Sequence, residues 1–356
     1  MISVFDNFSK VRESYYRISI KPNELFADDC GHNARQFIDE HFERGDKKGV
    51  FAINREFATE YTQLGKHYHT VSLYLLGLTA KDLFRAPIRN RLNSLIDDMD
   101  WFNFEYSWYL TCLYHDVSSC IEDKLNYKEL INAVDSSSLF THKALKPNAK
   151  LLRFPKELII NYLNYRVASG RIEHGIIGGT MLFDKLKESF IERTNGHNWE
   201  EFSVYQKDNL NWRREHLDHF AYVADAVCCH NLWTVQADSA NCAEYQKKGL
   251  DSLIIRSPAD RLNLRAYPLQ FMLFLLDTIE PVKRFKHLDP KTVLQNIYTE
   301  ISPNTIVLYW TQTLREQPEI YNWLDSIRTL PEWMCVDVSP CEHHNEMCST
   351  KIVIQP

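Results

Sequence analysis

The sequence predicts a mainly α-helical protein with a small α+β appendage towards its C-terminal end. Three observations predict it. Only 11 glycines and 13 prolines occur in 356 residues, and long stretches hold neither, which favours helices over a large sheet with many turns. Apolar residues recur at helical spacing, most clearly Phe220, Val223, Ala224 and Val227 at i, i+3, i+4 and i+7. Beyond Ser302-Pro303-Asn304 the pattern changes to short β-like runs.

Residues 1–55 are read as an N-terminal helical extension and 56–300 as a helical domain. Its helices are expected over 56–79, 84–97, 101–115, 155–168, 171–192, 203–231 and 266–280. Asp135-Ser136-Ser137-Ser138, Lys146-Pro147-Asn148 and Thr194-Asn195-Gly196 mark loops between them. In the unit over 301–356, Thr305 to Trp310 reads as a strand and 312–328 as a helix. Trp333 to Val338 and Ser349 to Ile354 are further β-like runs.

Hydrophobic residues make up 44% and charged residues 25% of the chain, the balance of a globular protein rather than a disordered one. A net charge of −6 argues against broad binding to a nucleic-acid backbone. The apolar run Leu269 to Leu276 is far too short to span a bilayer. The opening MISVFDNFSKVRESYY lacks a basic-then-apolar signal. The nine cysteines follow no repeating framework, which suits reduced thiols and a cytoplasmic location.

Two carboxylates stand where apolar helices would not be expected to hold them. His115-Asp116 closes the run from Trp108 to Leu113, and Asp277 closes Phe271 to Leu276. A carboxylate withdrawn from water costs several kcal/mol unless a partner compensates it; a cation would be such a partner. Helical neighbours point about 100° apart, so a His-Asp doublet serves one site only where the backbone changes course. Three further histidines lie on helices with packing faces. His69 precedes Val71, Leu75 and Leu78; His174 precedes Gly178, one turn on, which leaves room for a close helix or ligand; His230 continues the 220, 223, 224, 227 stripe. Singly, each suits a hydrogen-bonded core histidine better than a ligand.

Their order (His69, His115-Asp116, His174, His230, Asp277) resembles the HD superfamily of metal-dependent phosphohydrolases over roughly residues 60–285. The resemblance extends to the apolar helix before His115-Asp116, to Glu173-His174-Gly175, to Ala226-Val227-Cys228-Cys229-His230 and to Leu275-Leu276-Asp277. It implies an HD-type helical core in which His69, His115, Asp116 and Asp277 hold one ion. Asp116 would be shared, and His174 and His230 would complete a second site. Of His67 and His69, the latter is preferred because the apolar helix follows it at the family's spacing. His115 and Asp116 would stand at the reaction centre. The implied cofactors are two divalent ions drawn from Mn, Fe, Zn, Ni or Co, and the implied reaction is hydrolysis of a phosphate ester, nucleotide-like in class. Arg171, Lys283 and Arg284 are candidates to offset substrate charge.

The sequence departs from the cyclic-dinucleotide branch of that superfamily, since Val117-Ser118-Ser119 follows the doublet and Asn231-Leu232-Trp233 follows His230. The same ligand order occurs in HD-type di-iron oxygenases, and a metal-stabilised helical sensor or scaffold is the non-enzymatic alternative. In the tail, Cys335, Cys341, His343, His344 and Cys348 are of zinc-ligand type. They lack a paired Cys-x-x-Cys knuckle and are read as an exposed turn between two strands.

Overall fold

The computed structural model describes residues 2–16, 66–97, 102–120, 127–147, 149–171, 173–207, 210–344 and 347–355. The protein is mainly helical with small sheets. Its principal helices are α1 (Val4–Tyr16), α2 (Lys66–Thr79), α3 (Lys81–Leu95), α4 (Phe104–His115), α5 (Tyr127–Ser136), α6 (Lys156–Ala168), α7 (His174–Thr194), α8 (His216–Cys229), α9 (Pro268–Ile279) and α10 (Glu319–Arg328). The longer strands are β1 (Val204–Lys207), β2 (Leu210–Arg213), β3 (Ile297–Ser302), β4 (Thr305–Thr311), β5 (Val336–Val338), β6 (Glu342–His344) and β7 (Met347–Ile354). The described residues divide into two compact units, one of 2–16, 66–88 and 255–355, the other of 89–254. No helix among them is long and apolar enough to cross a membrane.

The first unit is built on an antiparallel sheet of order β3-β4-β7-β5, with β6 pairing β7. Strand alternation turns Ile306, Leu308 and Trp310 of β4 inward. Trp310 meets Trp323 of α10 edge-on, with ring centres 5.9 Å apart. The Trp323 indole N–H donates to the Ile279 carbonyl at 3.2 Å, tying α10 to the last turn of α9. Pro268 opens α9, where its missing N–H costs nothing. Leu269, Phe271, Met272, Leu273, Leu275 and Leu276 of α9 are then wholly withdrawn from water, each contributing about 1.5–3 kcal/mol relative to exposure.

The second unit is a helical cluster around α7. Leu158 and Tyr162 of α6 pack in one core with Ile176 and Ile177 of α7 and Cys228 and Cys229 of α8. What sets α7 apart is its glycines. A Cβ on Gly178 would stand 2.5 Å from the Tyr114 carbonyl of α4, and one on Gly179 would stand 2.6 Å from the Ala224 carbonyl of α8. The bare backbone lets α7 close on both neighbours. The space that the sequence left to a helix or a ligand near His174 is filled by helices.

Several expected elements differ. The helix expected over 203–231 starts only at His216, because residues 204–213 form the hairpin β1–β2 in register Val204↔Arg213. Val204-Tyr205 and Leu210-Asn211-Trp212, β-prone runs parted by turn formers, carry that signal. The helix expected over 312–328 breaks into Gln312–Arg315 and α10 at Pro318, which has no N–H to continue the ladder. Pro303-Asn304 is the two-residue connection of the hairpin β3–β4, with Ser302 opposite Thr305, so the sheet starts at Ile297, earlier than the β-like signal. Helices α1 and α5 were not among those expected individually. Of the N-terminal extension, residues 17–55 lie outside the described residues, as do 56–65 of the next expected helix.

Alanine at Gly178 tests the close approach of α7. Helix propensity alone favours alanine by about 0.8–1.0 kcal/mol, whereas overpacking against another helix costs about 1–3 kcal/mol. The obstacle is a backbone carbonyl that cannot swing aside, so the cost wins. Gly178→Ala is expected to lower stability by about 1–2 kcal/mol in urea unfolding. Unchanged or increased stability would contradict the packing.

Candidate metal centre

In the second unit, α4 delivers the His-Asp doublet. The Asn103 side chain accepts the Tyr106 N–H at 2.8 Å and caps its start; Trp108, Leu110, Leu113 and Tyr114 bury its body. The helix ends as Asp116 becomes its C-cap, and a 3-10 turn follows over Val117–Cys120. That change of course resolves the objection that helical neighbours diverge. His115 and Asp116 are both buried, with Nε2 and Oδ2 3.6 Å apart.

Helix α7 supplies His174 as its first residue and α8 supplies His230 as its C-cap. His174 Nε2 lies 3.1 Å from Asp116 Oδ1 and 2.6 Å from Asn231 Nδ2. The ring of His230 lies 5.3 Å from that of His174 and 5.6 Å from that of His115, centre to centre. Ligand atoms of Asp116, His174 and His230 all lie within 4.8 Å of one another. Gly175 is required for this meeting, since a Cβ there would stand 2.7 Å from His230 Nδ1. The Ser118 hydroxyl donates to the His174 carbonyl at 2.5 Å and fastens the turn after the doublet to the start of α7. Arg166 of α6 forms an ion pair with the buried Glu173 and steadies the residue before His174.

The imidazoles are oriented by the backbone. His115 Nδ1 lies 2.7 Å from the Cys112 carbonyl, and His230 Nδ1 lies 2.6 Å from the Val227 carbonyl. A carbonyl only accepts, so each Nδ1 carries the proton and donates it. In the neutral ring the lone pair then falls on Nε2. Nitrogen lone pairs and a buried carboxylate are thereby gathered in one place. The set is of the type that binds divalent transition metals. The residues present fit a metal ion.

The first unit holds the other two expected ligands. His69 of α2 and Asp277 of α9 approach with Nε2 and Oδ1 2.9 Å apart. His69 Nδ1 faces Glu280 Oε2 at 2.7 Å. Glu280 is fully buried and also accepts from the Ser72 hydroxyl at 2.5 Å and from the amides of Val282 and Lys283 at 2.8 and 3.2 Å. Burial opposes its charge, yet the His69 contacts and then Ser72 and the backbone prevail, so its pKa is lowered. For His69, burial and the Lys283 charge push the pKa down, but hydrogen bonds with Asp277 and Glu280 outweigh them and raise it.

Glu280 was not among the candidates read from the sequence. It stands three residues after Asp277 and directly before Pro281, a position that reads in sequence as a solvated helix end. Asn231, beside His174, was noted only as a departure from another motif. The candidate substrate cations are placed variously. Lys283 Nζ is held by Asp277 Oδ1 at 2.5 Å. Arg284 has a buried Nε with no hydrogen-bond partner among the described residues, and Arg171 is exposed. Two histidines without a ligand argument are accounted for by packing. His219, pushed down to about 3 by burial and then by His216, sits with Nε2 2.7 Å from the Ser107 hydroxyl. His142 Nε2 contacts Asp218 Oδ1 at 2.6 Å.

The His69–Glu280 pair has a pH signature in the metal-free protein. Glu280 titrates lower folded than unfolded, so its contribution is present above its unfolded value, 4.5, and is lost as pH falls through the folded pKa. His69 titrates higher folded, so its contribution is full below its unfolded value, 6.5, and is lost as pH rises through the folded pKa. With chelator present, stability from the pair should peak between those two values. Denaturant titrations across pH should show the peak flattened in Glu280→Gln. A peak unchanged by that substitution would refute the pairing. Comparison of the chain with family models, with curated proteins and with solved structures finds no match.

Proposed function

We propose that the protein is a metal-dependent phosphohydrolase of the HD type, acting on a phosphate ester of nucleotide-like class through a dinuclear centre. The observation that carries the reading is the gathering of Asp116, His174 and His230, with His115 beside them and two imidazoles aimed by backbone carbonyls. The ligand order supports it, as does the His69–Asp277 approach in the first unit. The reading requires His69 and Asp277 to join His115 and Asp116 around one ion. His174 and His230 then hold the other, and Asp116 serves both.

When bound, such ions supply Lewis acidity that makes water nucleophilic near neutral pH and neutralises phosphoryl oxygens. The chain does the rest. Cys112 and Val227 carbonyls keep His115 and His230 in the tautomer that presents Nε2. Glu280 holds His69 by Nδ1 and turns Nε2 towards Asp277. Burial of Asp116 keeps bulk water from screening its charge. Lys283 is assigned a dual part, balancing Asp277 without substrate and offering its ammonium to a phosphate oxygen when one arrives.

The test is hydrolysis of an aryl phosphodiester and a panel of nucleotides, with and without added manganese. Asp116→Ala should release metal and abolish turnover. His174→Ala and His230→Ala should lose one ion first and retain part of the other. Glu280→Gln should weaken metal affinity by roughly 10–100-fold, the usual effect of losing a group that orients a ligand. Full metal content and turnover in Asp116→Ala would sink the assignment. Oxygen uptake with a mixed-valence di-iron signal would replace hydrolysis by oxygenase chemistry, and metal retention without activity across the panel would leave a scaffold.

A further inference from the structure

The hairpin of β6 and β7 brings together a different donor set. His343 pairs directly with Cys348 across the two strands, so their side chains lie on one face. Cys341 precedes His343 by two residues and shares that face if the strand period continues through it. The side chains agree. His343 Nδ1 lies 3.0 Å from Cys348 Sγ, and ligand atoms of Cys341, His343 and Cys348 all lie within 4.8 Å of one another. The sequence reading left these residues as an exposed turn between two strands; residues 342–344 of that stretch instead form the strand β6, and three of the five candidate ligands are gathered on the β6–β7 hairpin. Cys335 is not one of the three, since its Sγ is 3.9 Å from the Pro258 carbonyl.

We infer that Cys341, His343 and Cys348 form a zinc site separate from the His and Asp cluster, with a coordination position left for water. The argument is geometric and chemical. Ligand atoms of a tetrahedral zinc with two sulfurs and a nitrogen stand roughly 3.5–3.8 Å apart, from bond lengths near 2.3 and 2.0 Å. The spread here needs only small side-chain rotations to meet that. Thiolates are soft donors and select zinc over manganese or magnesium, whereas the carboxylate-bearing cluster does not discriminate in that way. A cation between the sulfurs favours the thiolate form, and each thiol releases its proton as it binds.

The location gives the ion a structural task. Strand β6 spans three residues and, among the described residues, pairs only with β7, off the main path of the sheet. Cys348 is buried in the sheet, paired on its other side with Trp310 of β4, while His343 is exposed and Cys341 half-buried. An ion held by all three would clamp the short outer strand to the sheet interior.

Cobalt distinguishes this site from the other cluster, because only thiolate ligands give a near-ultraviolet sulfur-to-cobalt charge-transfer band. The full-length chain, reduced and stripped of metal by chelator, is titrated with Co(II) and then with Zn(II). A charge-transfer band that zinc abolishes is expected. Cys341→Ser and His343→Ala should remove or strongly reduce it, and Asp116→Ala should leave it intact. These two positions are chosen because neither is fully buried, and circular dichroism of each variant confirms folding. Absence of the band, or its persistence in Cys341→Ser, overturns the site. So does a Cys341–Cys348 disulfide in the purified protein that, once reduced, binds no cobalt through sulfur.

Discussion

Asp116 is a carboxylate withdrawn from water beside His115 and His174, with a ligand atom of His230 also within reach. Withdrawn from water, such a group costs several kcal/mol unless a partner compensates it, and on the proposed reading that partner is a cation. The carbonyls of Cys112 and Val227 take the Nδ1 protons of His115 and His230, which leaves Nε2 as the ligand-type nitrogen of each neutral ring. A metal ion would satisfy these donors together with the carboxylate. The packing of the second unit serves this gathering: bare backbone at Gly175 makes room for His230, and at Gly178 and Gly179 it lets α7 close on α4 and α8.

The first unit meets a related demand by different means. His69 is oriented not by a backbone carbonyl but by Glu280, a buried carboxylate whose hydrogen bonds come from a serine, two amides and the imidazole itself. A charge-bearing orienter is a stronger device than a carbonyl, since it raises the basicity of the ring as well as fixing its rotation. It is also more expensive to install, because the carboxylate is fully withdrawn from water and must find its compensation in hydrogen bonds. The turn past Pro281 presents the amides of Val282 and Lys283 to the carboxylate.

The site was legible in the sequence to the extent that its residues were chemically out of place. His115-Asp116 and Asp277 announced themselves as charges on greasy helices, and the shared face of Phe220, Val223, Ala224, Val227 and His230 followed from period alone. Helix α9 was readable almost to the residue, because its start and stop are prolines. Glu280 was not, since an acid before a proline at a helix end looks like an ordinary solvated terminus; only its burial tells otherwise. The β1–β2 hairpin was missed because strands of four residues beside a strongly periodic helix are absorbed into that helix by any period count. The hairpin of β6 and β7 is local, but the register that sets His343 opposite Cys348 could not be seen in spacing that lacks the usual paired knuckle.

The donor types divide the labour between metals. Carboxylate oxygen and imidazole nitrogen accept most first-row divalent ions, and affinity among them follows the general order that ends near copper and zinc. A chain needing manganese or iron in such a set therefore competes against zinc wherever zinc is present. A separate pair of thiolates prefers zinc whatever ion the carboxylate-bearing set takes. The two places also differ in what binding would order, one short strand at β6 against the end of α4 and the approach of α7 at Asp116. Two kinds of site in one chain would then be a consequence of ligand softness.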